Sequence, residues 1–153
     1  IEDVGFYDKI ILSPGPGVPH EAGILKQVIS TYGPDKSIFG VCLGCQAIAE
    51  VFGGRLINLN KVYHGIATNV NIIDNNDRTF RWLVDTIEAG RYHSWVVDPE
   101  SVPSDLKVSA TDDEGHIMAL YHNTYDVHGV QFHPESVLTP SGKQIMANFL
   151  NGK

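Results

Sequence analysis

Ser37-Ile38-Phe39-Gly40-Val41-Cys42-Leu43-Gly44-Cys45-Gln46-Ala47-Ile48-Ala49-Glu50-Val51-Phe52-Gly53-Gly54 is the stretch on which the fold turns. The apolar run Ile38 to Val41 reads as a buried strand, and Cys42 to Phe52 reads as a helix stopped by Gly53-Gly54. Between them a cysteine stands two residues from a glycine on either side. This is the small-x-nucleophile-x-small pattern of a sharp strand-to-helix turn, where the backbone is too tight to admit a Cβ. A thiol at such a corner meets unpaired N–H groups and the positive end of the helix dipole, which favour thiolate over thiol. A free cysteine of pKa about 8.5 is only a few per cent ionised at pH 7, so a fall of one to two units gives roughly a tenfold gain in nucleophile. The expectation is a reactive, ionised Cys42.

Upstream, Lys9 to Leu12 is a short strand ended by Ser13-Pro14-Gly15-Pro16-Gly17, where prolines and glycines forbid regular structure. Pro19 to Tyr32 carries apolar Ala22, Leu25, Val28 and Ile29 on one face, an amphipathic helix stopped by Gly33-Pro34. Strand, helix, strand, helix in this order predicts a parallel sheet with crossover helices. Downstream, Leu56-Ile57, Ala67 to Ile73, Gly90 to Val97, Leu106 to Ala110, Ile117 to Tyr121 and Val127 to Phe132 read as strands. Phe80 to Glu88, with Trp82 and Leu83 as packing residues, and Ser141 to Leu150 read as helices. The predicted class is α/β, with a mixed, mainly parallel sheet flanked by helices.

The 153 residues suffice for a single domain, 1–153, with a real core, and hardly for two. With 42% apolar and 19% charged residues the composition is that of a soluble globular protein. A formal charge of −7 argues against nucleic-acid or anionic-membrane partners, which need clustered positive charge. No apolar stretch approaches the roughly 20 residues of a membrane span. Two cysteines three positions apart make a poor disulfide framework, so the reading is cytoplasmic. Ile1 is not an initiator methionine, and the expectation is that a further strand and helix precede it.

A nucleophilic cysteine needs a base, and the base an orienting group. His133-Pro134-Glu135 ends the Val127 to Phe132 strand, and residues at i and i+2 of an extended segment project to one side. Glu135 could then hold the His133 imidazole in the right tautomer. The Pro-Gly loop follows a strand expected to neighbour the nucleophile strand, and open α/β sheets place their sites at such ends. Gly15 could present a bare N–H to a developing oxyanion, with the Leu43 N–H as second donor. His20, His116, His122 and His128 read as surface or capping residues, His64 as structural or interfacial, and His93 as shaping the loop beside Ser94.

Taken together, several motifs resemble the class I glutamine amidotransferases, and more narrowly the amidotransferase component of anthranilate synthase or of the similar aminodeoxychorismate synthase. They are Ser13-Pro14-Gly15-Pro16-Gly17 with Glu21-Ala22-Gly23, Gly40 to Gly44 with Gln46-Ala47, Gly53-Gly54, His64-Gly65, Arg91-Tyr92-His93-Ser94, and Gly129 to Ser136. The resemblance implies a flavodoxin-like core, a Cys42-His133-Glu135 triad and oxyanion donors at Gly15 and Leu43. It implies glutamine-binding positions at Gly15, Pro16, Gly17, Gln46, Ser94 and Trp95, with no cofactor and no metal. The partner it implies is a chorismate-binding synthase subunit that receives ammonia, in tryptophan biosynthesis or, as the alternative, folate biosynthesis. The Ser-Pro-Gly-Pro-Gly form favours the chorismate-using branch over the GMP and carbamoyl phosphate synthetase branches. Cys45 stands where the family most often has histidine, Trp95 where leucine is usual, and His64-Gly65-Ile66-Ala67-Thr68 departs from the usual His-Gly-Lys-Thr-Ser. Two rival readings are a dithiol redox protein, from Cys42-Leu43-Gly44-Cys45, and a γ-glutamyl cysteine hydrolase acting alone. A non-catalytic binding module leaves the triad unexplained.

Overall fold

A computed structural model describes residues 1–152. β1 (Lys9–Leu12) and β2 (Ser37–Val41) pair in parallel, and the connection between them carries α1 (Leu25–Tyr32). Parallel neighbours cannot be joined by a tight turn, which is why a helix fills this crossover. α2 (Leu43–Val51) leaves the end of β2 and packs on β2, on α1 and on β9 (Val127–Val130), which runs parallel to β2 on its other side.

Beyond β9 the same sheet continues through β8 (Ile117–His122), β7 (Leu106–Thr111), β4 (Ile66–Ile72) and β5 (Thr86–Arg91). β3 (Leu56–Asn58) and β6 (Trp95–Val97) form a separate antiparallel pair, and α3 (Gly142–Asn151) follows the last strand. The α/β class and the mixed sheet are as expected. The predominance of parallel pairing is not: in the seven-stranded sheet two pairings are parallel and four antiparallel. Short turns join β7 to β8 and β8 to β9, and turns of that length allow only antiparallel neighbours.

Both faces of the sheet's parallel part are covered, so β2 is a continuous apolar run rather than an alternating one. Ile38 faces the cluster with Ile29, Ile48 and Val127, whereas Phe39 and Val41 face the cluster with Phe132, Ile145 and Phe149. The Phe39 and Phe149 rings lie 5.2 Å apart, and both residues are buried.

Three elements depart from the sequence reading. The helix expected over Phe80 to Glu88 is replaced by a 3-10 turn, Arg78–Phe80, and by β5. Trp82 has φ 70, a left-handed conformation that no helix interior admits, and it is 83% exposed rather than packed. Residues 86–91 instead pair with β4 over six positions, from Asn71↔Thr86 to Ile66↔Arg91, and this distant partner outweighs the local pattern. Gly90 to Val97, expected as one strand, is split at Tyr92-His93-Ser94 into β5 and β6, which belong to different sheets. The first helix begins at Leu25, after a 3-10 turn at Pro19–Glu21. No helix of the described residues is long and apolar enough to cross a membrane.

Candidate active site

Cys42 sits between the last residue of β2 and the first of α2 with φ 53 and ψ −100. A non-glycine residue held at positive φ costs on the order of 1 kcal/mol or more, and here the packing around it enforces the turn. A Cβ on Gly40 would come within 2.5 Å of the Gly44 carbonyl carbon, and one on Gly44 within 2.6 Å of the Leu12 carbonyl oxygen. The first turn of α2 is therefore pressed onto β2 and onto the end of β1, where the Pro-Gly loop begins.

That loop, the elbow and the 92–95 segment enclose a cavity of about 240 Å³, lined by Gly15, Pro16, Gly17, Cys42, Gln46, Tyr92, His93, Ser94 and Trp95. All six residues expected to bind substrate thus share one cavity with Cys42. His133, Glu135 and Leu43 do not line it. Gly15 lies against Leu43, whose Cδ2 would be 3.2 Å from a Cβ there. His133 Nδ1–H donates to Glu135 Oε1 at 2.6 Å, and the imidazole meets the Tyr92 ring edge-on with centroids 4.8 Å apart. The His133 N–H donates to the Gly90 carbonyl at 2.9 Å, tying this segment to the end of β5.

His133 Nε2 is buried and has no protein hydrogen-bond partner, so the Cys42 thiol is not bonded to it. With Nδ1 facing a carboxylate, Nε2 carries the lone pair that a base needs. The Cys42 Sγ instead accepts from Gln131 Nε2 at 3.5 Å. Burial pushes the Cys42 thiol up to about 11, helped by the Glu135 charge and opposed by the Leu43 N–H and Gln131. The expected ionised cysteine is therefore corrected for the free chain. The helix terminus acts in the expected direction, but removing the sulfur from water outweighs it.

Cys45 is fully buried, its sulfur is packed where a Cβ on Gly129 would lie, and burial raises its thiol further. It belongs to the core cluster on the opposite face from Cys42, which removes the accessible dithiol that a redox role requires.

Further residues complete the site, of which Gln131 has no individual role in the sequence reading. Gln131 is buried and joins two walls: its Oε1 accepts from Gln46 Nε2 at 3.2 Å while its Nε2 reaches Cys42. It stands two residues before His133, a spacing that could have flagged it. Tyr92 lines the cavity, and its hydroxyl is 3.0 Å from Ser136 Oγ. His93 is held far below the usual histidine range, at about 4, by burial and by the Arg91 guanidinium. Asp112, Glu114 and His116 bring potential metal-ligand atoms within 4.8 Å of one another. Asp112 Oδ1 already accepts the N–H groups of Glu114 and His116, and Oδ2 accepts from Arg91 and His116 Nδ1, so the cluster is an ion-paired turn.

The sequence pattern of the family Glutamine amidotransferase class-I matches residues 2–152. This chain is a class-I glutamine amidotransferase. The amidotransferase is 45% identical over 143 residues to aminodeoxychorismate synthase component 2 of Escherichia coli, an alignment covering 94% of this chain and 75% of that protein. It is 44% identical to the aminodeoxychorismate/anthranilate synthase component 2 of Bacillus subtilis, over 94% of this chain and 73% of the relative. With anthranilate synthase component 2 of Cyanophora paradoxa it shares 44%, over 93% and 74%. The fold matches that of a candidate GMP synthase component from Thermoplasma acidophilum with a TM-score of 0.86 at 25% identity, covering 98% of this amidotransferase and 74% of that chain.

Proposed function

We propose that this chain hydrolyses glutamine to glutamate and ammonia through Cys42, His133 and Glu135, and passes the ammonia to a chorismate-binding synthase subunit. The reading taken first is anthranilate synthase, in tryptophan biosynthesis. Aminodeoxychorismate synthase, in folate biosynthesis, is the second, favoured by relatives that carry that name at the same level of identity. One observation carries the reading: the strained Cys42 corner opens into a cavity walled by the Pro-Gly loop and by Ser94-Trp95.

In this mechanism His133 Nε2 takes the Cys42 proton, and the sulfur bonds to the side-chain amide carbon of glutamine. The oxyanion forms between the N–H groups of Gly15 and Leu43, where losing one donor costs roughly 10²–10³ in rate. His133 returns the proton to the departing nitrogen, ammonia leaves and a γ-glutamyl thioester remains. Water, deprotonated by His133, cleaves the thioester, releases glutamate and restores the thiol.

A thiol held at about 11 is ionised in only about one molecule in 10⁴ at pH 7. That Cys42 and His133 Nε2 are not bonded to each other therefore supports weak hydrolysis by the chain alone and activation when the synthase docks and brings sulfur and Nε2 together. Weak hydrolysis by the chain alone is the outcome that separates this reading from a hydrolase acting alone. With the synthase subunit present, Cys42→Ala is expected to abolish glutamine-dependent product and to spare product made from added ammonia. The mass of the aminated product separates the two synthases. Glutamine hydrolysis surviving in Cys42→Ala would remove the assignment.

A further inference from the structure

Arg91, at the end of β5, is the largest fully buried side chain among the described residues, yet it lines no part of the site cavity. A guanidinium leaves water only where its surroundings hold it firmly. Its Nη1 donates to Asp112 Oδ2 at 2.8 Å and to Thr68 Oγ1 at 3.3 Å, and its central carbon lies 3.6 Å from the Tyr63 ring centroid. Its Nε–H donates to His93 Nε2 at 3.1 Å. Asp112 is fixed in turn by two backbone N–H groups and by His116, while Arg91 Nη2 is buried with no hydrogen-bond partner.

Arginine has donors only, so His93 Nε2 facing it must be the lone pair. The ring proton is then on Nδ1, which faces the Trp95 carbonyl at 2.9 Å, an acceptor only. Gln46 Nε2 donates to the same carbonyl at 3.0 Å. One oxygen thus joins β6 to α2 beside the cavity, and its geometry depends on which nitrogen of His93 carries the proton.

We propose that Asp112, Arg91 and His93 form a buried positioning relay that sets the Ser94–Trp95 wall of the cavity for glutamine. The inference rests on the amidotransferase reading. Arg91 and Asp112 touch no substrate and act through His93. The relay governs how well glutamine is held and leaves the intrinsic reactivity of Cys42 unchanged.

The test alkylates Cys42 of the full chain with a glutamine-shaped diazoketone, 6-diazo-5-oxonorleucine, whose labelling is saturable, and separately with iodoacetamide, which needs no glutamine pocket. His93→Phe is expected to raise the half-saturating diazoketone concentration about tenfold, the effect of one lost hydrogen bond. The limiting rate and the iodoacetamide rate stay within about threefold of the parent. His93→Asn, whose amide N–H can replace Nδ1–H, recovers most of the loss. Arg91→Lys keeps the charge but loses the fork that reaches both neighbours, and shows the same raised concentration. Ring-nitrogen NMR of the unmodified chain tests the tautomer without any variant, with His93 protonated on Nδ1 and bare on Nε2 between pH 6 and 8.

The opposite tautomer overturns the relay, as does an unchanged half-saturating concentration in His93→Phe. A parallel fall in iodoacetamide labelling also overturns it, because general damage then accounts for the loss. If glutamine fails to protect Cys42 of the parent from the diazoketone, the amidotransferase reading itself falls and takes the relay's substrate with it.

Discussion

His128 lies within β9 and His133 just beyond its end, five residues apart, and their hydrogen bonding is opposite. His128 Nδ1 meets Asp77 at 2.9 Å and Nε2 meets Asp126 at 3.0 Å, so both ring nitrogens are engaged by carboxylates. Arg78 pairs with Asp126 through both Nε and Nη2, and Ser109 donates to Asp77 at 2.6 Å. His133 has one carboxylate partner and one buried nitrogen with none. The sequence reading assigned His128 a surface or capping role, and its burial corrects that: it is a core histidine. If His133 is the base proposed above, burial alone does not separate a structural imidazole from a reactive one, and the number of nitrogens already satisfied is the feature that differs.

The contrast can be broken most severely at His133. His133→Ala is expected to lower glutamine-dependent synthesis by roughly 10³-fold, the scale of a lost general base. The urea midpoint should fall less than in His128→Asn, because the ring's one hydrogen bond goes to the half-exposed Glu135 and its remaining contact is the edge of Tyr92. A matching loss of stability would make His133 structural as well. His128→Asn is expected to do the reverse. It should cost about 3 kcal/mol in urea unfolding by leaving Asp77, 1% exposed, short of a partner. Iodoacetamide labelling of Cys42 in the folded variant should be unchanged.

Glu135→Gln probes the one hydrogen bond that the His133 imidazole makes. A buried carboxylate in this role is worth about 10⁴ in rate. The Glu135 side chain is 56% exposed, so solvent weakens its hold, and a loss of roughly tenfold to a hundredfold is expected. Comparing kcat of the complex for the two residues checks it.

The smallest effect is the pH dependence of stability. The Asp126 and Asp77 carboxylates raise the His128 imidazole against the opposing effect of burial. Its contribution is therefore complete below the unfolded histidine value of about 6.5 and is lost as pH rises through the higher folded value. Asp126, held low by His128, Ser37 and Arg78 despite burial, contributes above the unfolded aspartate value and loses that contribution as pH falls. The stability difference between the parent and His128→Asn should shrink as pH rises above 6.5 in urea titrations. A difference constant from pH 6 to 9 would mean that His128 is neutral in the fold.

What was legible in the sequence followed from how local its cause is. The Gly40 to Gly44 elbow is readable because its steric demand acts between residues four apart. The Pro-Gly loop is readable because proline and glycine fix their own backbone. β5 was not readable, since its cause is the β4 ladder and a left-handed Trp82 that no pattern announces. Nor was the ionisation state of Cys42. The dipole at a helix start is visible from the order of elements, whereas desolvation depends on everything that folds over the sulfur. Gln131 was missed as a polar link for the same reason: its partners Gln46 and Cys42 lie far away in the chain.

The contact between Gly44 and the Leu12 carbonyl has a further consequence. The Leu43 amide rides on the first turn of α2, and the Gly15 amide on the loop that leaves β1 three residues after Leu12. The separation of these two amides, the donors proposed above, is thus gauged by a missing carbon atom, as a spacer of fixed thickness gauges two plates. A single methyl group at position 44 would open the gap between the amides while leaving every polar group of the site chemically intact.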